Sequence, residues 1–448
     1  MSQPDIAPEG IAERLLGAAR KAGADAADVV IVHGISEDIS VRLGKTETVE
    51  RAEGRDLGLR VFIGRRQAIV STNDFSPKAL DALAERAVEM ARAVPEDPFC
   101  GLADSARYAK EIAALDLADG GEPSAATMTA LALEAEDAAR AVPGVTNSEG
   151  ADCGFNRAFI ALATSDGFYG SYAATRHSLS ASVLAGEGLD MQRDYDYAVS
   201  THRAGLKSAA EIGRNAGERA MRRLKPRKAT SGRVPVVYEQ RLAGGLLGHL
   251  AGAISGAGIA RGTSFLKDRL GQQVFAAGLN VIDDPLRKRG LRSKPFDGEG
   301  VQTARRAFID RGTLTSWLLD SRSARQLGLA TTGNASRGTG GPPSPAPSNL
   351  YLEPGALSPE ALIREVGTGL YITELIGMGV NGVTGDYSRG AAGFWIEGGE
   401  IAYPVNEVTV AGNLKDMFLN LIPADDLVFR TGMDAPTLRV DGMMVAGR

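Results

Sequence analysis

Between Leu242 and Ala260 the chain runs nineteen residues without a carboxylate, lysine or arginine, and Gly244, Gly248, Gly252 and Gly256 fall four apart within it. That spacing lines them up on one face of a helix, with Gly245 beside them. Each interior glycine costs a helix about 1 kcal/mol relative to alanine. A segment that keeps so many gains from the close approach of another backbone, or from a hollow held open beside the helix. His249 is the only polar side chain between Arg241 and Ser255. On these grounds it reads either as a satisfied core histidine or as the remnant of a metal site. A membrane span wants about 20 strongly apolar residues; this run is mostly glycine and alanine and reads as a buried helix of a soluble protein.

Glycine is abundant throughout, 55 of 448 residues, about 12% against a usual ~7%. The length corresponds to about three domains of roughly 150 residues each. Apolar residues at 44% and charged ones at 23% are globular values. A net charge of −5 argues against a protein held to nucleic acid by a global positive field. Two cysteines, Cys100 and Cys153, leave no disulfide framework and fit a reducing cytoplasm. The four histidines, His33, His177, His202 and His249, occur at no metal-ligand spacing. The polar start, Met1 to Gly10, lacks the pattern of an export signal, so a cytoplasmic location is expected.

The periodicities predict an α+β fold: two helix–antiparallel-sheet–helix segments, residues 1–115 and 116–230, then a glycine-rich, mostly antiparallel β domain over 231–448. In the first segment a helix carries Ile11, Leu15, Leu16 and Ala19 on one face. Strands follow at Val29–Ile35, Ile39–Leu43, Leu57–Ile63 and Ala68–Ser71, with turns at Gly54-Arg55 and Gly64-Arg65. Ser76-Pro77 opens a helix to about Ala93. The second segment repeats the order, with helices over about Ser124–Ala141 and Gly205–Leu224 and a hairpin at Asp166-Gly167. Arg203 to Lys228 holds nine basic and two acidic side chains, a solvated helix face or a surface for an acidic partner. In the third part Gly398-Gly399 marks a hairpin, and Thr331 to Asn349 is a long irregular loop, a functional flap or a disordered stretch.

Several familiar chemistries are absent. The chain has no phosphate-binding Walker loop and no Gly-x-Ser-x-Gly elbow. Gly377-Met378-Gly379-Val380-Asn381-Gly382 matches a dinucleotide fingerprint, but turn and strand residues follow where that site needs a helix N-terminus.

Gly290 to Val301 (GLRSKPFDGEGV), Thr332-Gly333-Asn334-Ala335, Asn381 to Gly390 (NGVTGDYSRG), Gly393-Phe394-Trp395-Ile396-Glu397, Pro404-Val405-Asn406-Glu407 to Leu414 and Pro436 to Val440 carry a resemblance. With these the chain resembles the PmbA, or TldE, branch of the TldD/PmbA family, whose members also carry the name of DNA gyrase modulators. The resemblance implies a zinc metallopeptidase fold that handles unfolded or extended peptides. In the catalytic branch a His-Glu-x-x-x-His motif lies on the helix matching Gly244–His249, and a C-terminal cysteine is the third ligand. Two imidazoles and a thiolate hold the ion, and the glutamate handles the proton of the metal-activated water.

Here Gly244 stands at the first histidine, Gly245 at the glutamate, and His249 alone survives; residues 410–448 contain no cysteine. The resemblance therefore implies a chain without catalytic residues, metal or cofactor of its own, paired with a TldD-like subunit that carries the zinc. The glycine face would keep one half of a peptide chamber open. Thr384, Asp386 and Trp395 are candidates for the chamber or the subunit interface, or equally for turn and core roles. Phe296 is expected to pack inward, and Asp297 and Glu299 to order the backbone around them. A second reading is a regulatory protein without proteolysis, acting on a topoisomerase or an RNA-binding regulator through the basic stretch Arg203 to Lys228.

Overall fold

The computed structural model describes residues 7–447. The first half of the chain builds one six-stranded antiparallel sheet from β1 (Ala26–Arg42), β2 (Lys45–Ile63), β3 (Arg66–Thr72), β4 (Val145–Thr164), β5 (Tyr169–Ala185) and β6 (Gln192–Ser200), in the order β3-β2-β1-β4-β5-β6. The two N-terminal segments thus share a single sheet. They join where β1 lies along β4, from Asp28 opposite Thr164 to Val41 opposite Ala151.

Helices α1 (Pro8–Ala22), α2 (Pro77–Ala93), α3 (Ala125–Arg140) and α4 (Ala209–Arg222) cover one face of this sheet. Side chains alternate along a strand. Val29 and Ile31 of β1 meet α1 and α2, whereas Ile39 and Val41 meet α3 and α4. Ser76, Ser124 and Ser208 each accept a hydrogen bond from the backbone N–H three residues on, which fixes where three of these helices begin. Gly213 and Gly217 let α4 lie against α3 so closely that a Cβ at either would strike its backbone.

The opposite face meets the C-terminal part. Val30 and Leu162 pack with Phe168 and Phe296, and Phe296 is 2% exposed with its ring edge-on to Phe168 and Tyr172. Burying such a phenyl group contributes about 1.5–3 kcal/mol. The inward packing expected of Phe296 is what the structure shows.

The third part holds a second six-stranded sheet, made of Glu400–Asn413, Asp386–Glu397, Gly369–Ile376, β7 (Gly232–Tyr238), Leu438–Ala446 and Leu421–Pro423 in that order. A smaller five-stranded sheet includes Val281–Asp283, Leu350–Leu352 and Met433–Asp434. Helix α5 (Gln240–Ala253) packs against elements of both sheets.

Three expectations need correction. Gly54 and Arg55 make no turn: they sit inside the continuous β2, with Gly54 opposite Gly34, and the turn falls at Leu43-Gly44. The uncharged run is two helices, because α5 ends at Ala253 and a short helix restarts at Gly256–Ala260. Thr331 to Asn349 is neither free nor featureless. It forms a strap, with Ala335–Ser336 paired to Ser344–Pro345, that lies on the helix-free face of the first sheet. There Arg337, its side chain fully buried, pairs with Asp28, and Thr339 hydrogen-bonds Asp56. Gly58 is bare because the Thr339 carbonyl occupies the space of a side chain.

Candidate functional site

Ala243, Leu246, Leu247 and Leu250 turn one face of α5 into the C-terminal core. Its first turn is tied to the neighbouring elements by charge. The Arg241 guanidinium, 2% exposed, donates to the Tyr195 carbonyl at 2.6 Å and lies 3.2 Å from Asp194 and 2.8 Å from Glu239. Arg219 of α4 reaches Glu239 from the other side at 2.8 Å. These contacts fix the helix relative to β6 and α4.

The glycines of the stripe divide into two kinds. Gly244 packs so tightly on the Met433 carbonyl that no Cβ fits, and Gly256 packs on Leu319, Ser323 and the Leu318 carbonyl. Around Gly245, Gly248 and Gly252 there is nothing within 4 Å of where a Cβ would stand. Gly245 and Gly252 are exposed and Gly248 half-buried, so the middle of α5 presents bare helix backbone to open space. Tight packing explains the ends of the stripe. It does not explain the middle.

His249 stands one turn beyond Gly245 at the edge of this bare face. Its ring meets Tyr387 edge-on, with centroids 5.9 Å apart and planes 78° apart. Burial, and then the positive charge of Arg389, hold the imidazole pKa below its ordinary value, so the ring is neutral at pH 7. A neutral imidazole can ligate a metal. Zinc, however, needs three protein ligands in a catalytic site. Gly244 and Gly245 offer no donor atom, and the charged group felt by His249 is the cation Arg389. Among the described residues no cluster of three histidine, cysteine, aspartate or glutamate side chains is placed to hold a metal. The residues present do not fit a catalytic zinc.

Of the other sequence candidates, two are exposed near the start of a strand and one is buried in the core. Thr384 and Asp386 occupy an exposed turn, where the Thr384 hydroxyl donates to Asp386 at 2.6 Å and Asn413 donates to the Thr384 carbonyl and to Asp386. These bonds keep the Asp386 carboxyl below its usual range. They brace the end of the hairpin. Asp386 and Tyr387 are successive strand residues, so the carboxylate points away from the face that meets His249. Trp395 lies in the core at 3% exposure, opposite Leu370 and Tyr403, which is the core role open to it.

Asp297 and Glu299 bind backbone, as expected. Asp297 accepts from the N–H groups of Glu299, Val301 and Ala335, and Glu299 accepts from Ser321 N–H at 2.8 Å. Burial, reinforced by neighbouring Asp297, pushes the Glu299 carboxyl up to about 7. Both cysteines are buried, and burial pushes the Cys153 thiol up to about 11, so neither is a ready nucleophile.

Part of the basic stretch makes contacts within the molecule, while Arg203, Arg214, Lys225 and Lys228 are exposed. Arg223, only 8% exposed, pairs with Glu374 and lies 3.6 Å from Asp194, and Lys207 reaches Asp196 at 3.5 Å. Arg222 lies over the Phe394 ring, and Arg227 over Tyr403. Arg222, Arg223 and Arg227 join α4 and its linker to the C-terminal sheet. Sequence reasoning missed the role of Arg241, because a lone arginine before an apolar run carries no periodic signal. It also missed Arg337, which was hidden in a stretch of turn-forming residues.

Family models match along the chain: the PmbA/TldA metallopeptidase domain 1 at residues 27–91, the central domain at 118–224 and the C-terminal domain at 231–447. The chain is 39% identical to metalloprotease PmbA of Escherichia coli O157:H7, covering 100% of this chain and 97% of that protein. It is 38% identical to a metalloprotease PmbA homolog of Haemophilus influenzae, covering 96% and 94%. Among solved structures, one from Bacteroides thetaiotaomicron named as a candidate modulator of DNA gyrase superposes with a TM-score of 0.91 at 27% identity, covering 99% of this chain and 100% of that one. TldE of Thermococcus kodakarensis shares the fold, with a TM-score of 0.88 at 20% identity over 97% of this chain and 99% of that one. With all three domains matched in order and full-length identity to PmbA, the chain belongs to the PmbA/TldD family of metallopeptidases.

Proposed function

We propose that this chain is the metal-free half of a two-subunit cytoplasmic metallopeptidase. In this reading it pairs with a TldD-like subunit that supplies the zinc, and its α5 forms one wall of the chamber that takes an unfolded or extended peptide. The observation that carries the proposal is the bare middle of α5 beside a neutral, unaccompanied imidazole. An extended peptide needs close access along its whole length, and Gly245, Gly248 and Gly252 remove every side chain that would stand in its way. The helix backbone there is already hydrogen-bonded internally, so such a wall excludes water without competing for the peptide's own polar groups. His249, held neutral against Tyr387, adds an aromatic edge and no charge.

The test is co-expression with the organism's TldD-like protein, followed by a pull-down, a peptide-degradation assay and metal analysis of each chain. A stable complex that degrades peptide, with zinc in the partner alone, is the expected result. Stoichiometric zinc in the isolated chain, or no complex, overturns the proposal.

A further inference from the structure

The segment Arg287-Lys288-Arg289-Gly290-Leu291-Arg292 carries four cations and no carboxylate. It folds back against the end of β6 and against residues 429–434, and the three together enclose a cavity of about 210 Å³. Arg287, Lys288, Arg289 and Arg430 line it, and Asp434 is its one carboxylate. That carboxylate is already engaged: it accepts the N–H groups of Arg430, Thr431 and Gly432 and the Thr431 hydroxyl. Arg289 is paired with Asp116 at 2.6 Å.

Arg287, Lys288 and Arg430 make no ion pair among the described residues. The Nε and Nη1 groups of Arg430 are buried with no hydrogen-bond partner. Arg287 is held flat over the Phe429 ring, 3.4 Å from its centroid, so its position is fixed in advance. A buried guanidinium donor without an acceptor has lost its water and gained nothing in exchange, so an anion that reaches it is bound against that deficit. With Asp434 set against three free cations, the pocket holds an excess of two positive charges. A single carboxylate would leave half of that excess unmatched.

We propose that this pocket binds a phosphate-type dianion, with Arg287, Lys288 and Arg430 as its ligands. The site shares no lining residue with α5 but is joined to it through one strand. Arg430, Gly432 and Asp434 line the pocket, and the carbonyl of Met433, between the last two in sequence, is the surface on which Gly244 rests. Bound anion therefore locks the end of β6, the basic loop and the support of α5 into one unit.

Isothermal titration of the full chain with inorganic phosphate at constant ionic strength tests this. Saturable binding with Kd below about 1 mM is expected, with no such signal from chloride. Removing two charge-assisted contacts in the Arg287→Gln/Lys288→Gln variant should weaken it about tenfold or more. Neither of those side chains is fully buried, so the variant tests the site even if Arg430→Gln fails to fold. A second arm uses a nucleoside monophosphate: tighter binding than phosphate assigns the site to a phosphate ester, and weaker binding assigns it to the free ion. Equal heats from phosphate and chloride, or unchanged phosphate affinity in the double variant, overturn the proposal.

Discussion

The carbonyl of Met433 occupies the place where a side chain on Gly244 would begin, while one residue further along the same helix Gly245 faces open space. Two adjacent glycines thus answer to different constraints. Gly244 is closed in by packing, and its neighbour is left clear.

Substitutions along α5 should separate these constraints. Gly244→Ala forces the Met433 strand to move and is expected to cost about 1–3 kcal/mol in denaturant unfolding, as overpacking does. Gly245→Ala and Gly252→Ala meet no obstacle and should stabilise the helix by roughly 0.5–1 kcal/mol. Gly248→Leu should leave pairing with a catalytic subunit intact and slow peptide degradation. Gly244→His with Gly245→Glu should yield a destabilised chain without peptidase activity, because the third ligand is still missing. Robust activity in that double variant would sink this account of the site.

Charge reversal in the basic stretch gives a second test. Arg223 is buried between Asp194 and Glu374, so Arg223→Glu places three carboxylates together at the junction of α4, β6 and Gly369–Ile376. A loss of about 3–5 kcal/mol is expected in chemical denaturation. Arg214→Glu, on the exposed side of the same helix, should change stability by less than about 0.5 kcal/mol. Equal effects of the two would mean that α4 is not docked through Arg223.

Asp28 is held by Arg60, whose Nε donates at 2.9 Å, and by Arg337 of the strap. Burial alone would raise its pKa, but Arg337 and Arg60 outweigh that and keep it below the usual value. Asp28→Asn leaves two guanidinium groups buried without their anion. Stability should fall by about 3–5 kcal/mol, and hydrogen exchange should rise across residues 331–349. Unchanged exchange there would show that the strap is held by something other than this pair.

Glu299 makes the junction sensitive to pH. Its carboxyl titrates near 4.5 in the unfolded chain and at about 7 in the fold, pushed up by burial and by Asp297. The native state therefore binds the extra proton between these values, and stability falls as pH rises from about 4.5 to 7, by up to on the order of 3 kcal/mol. Glu299→Gln keeps an oxygen to accept the Ser321 N–H and removes the titration. Thermal unfolding of the two proteins across pH 4.5–7.5 should show the wild type losing ground against the variant as pH rises. Parallel profiles would contradict the assignment.

The sequence was most legible where one local signal decided the outcome. Ser76 and Ser124 cap helices where their spacing predicts, and Gly398-Gly399 closes its hairpin between Glu397 and Glu400. It was misleading where a residue serves a partner distant in the chain. Gly54 looks like a turn residue but faces Gly34 in a continuous pair of strands. Gly58 is bare to admit Thr339, 281 positions later in the numbering. At the site, that Gly244 and Gly245 carry no donor atom could be read from the sequence. That one glycine packs and the other does not could be learned only from where Met433 lies. Trp395 drew attention as an aromatic in a distinctive run, yet such residues fill cores as readily as they line chambers.

The shared first sheet bears on how the protein is made. Its central pairing sets β1 against β4, so residues 28–41 wait for residues 151–164 before that seam can close. Until then a newly synthesised chain carries one long flank of β1 without its neighbour, a state that invites association with other unfinished chains. A ribosome stalled between the first and second segments would hold an intermediate that chaperones must shield, and a fragment cut there should prove insoluble rather than fold as a miniature of the whole.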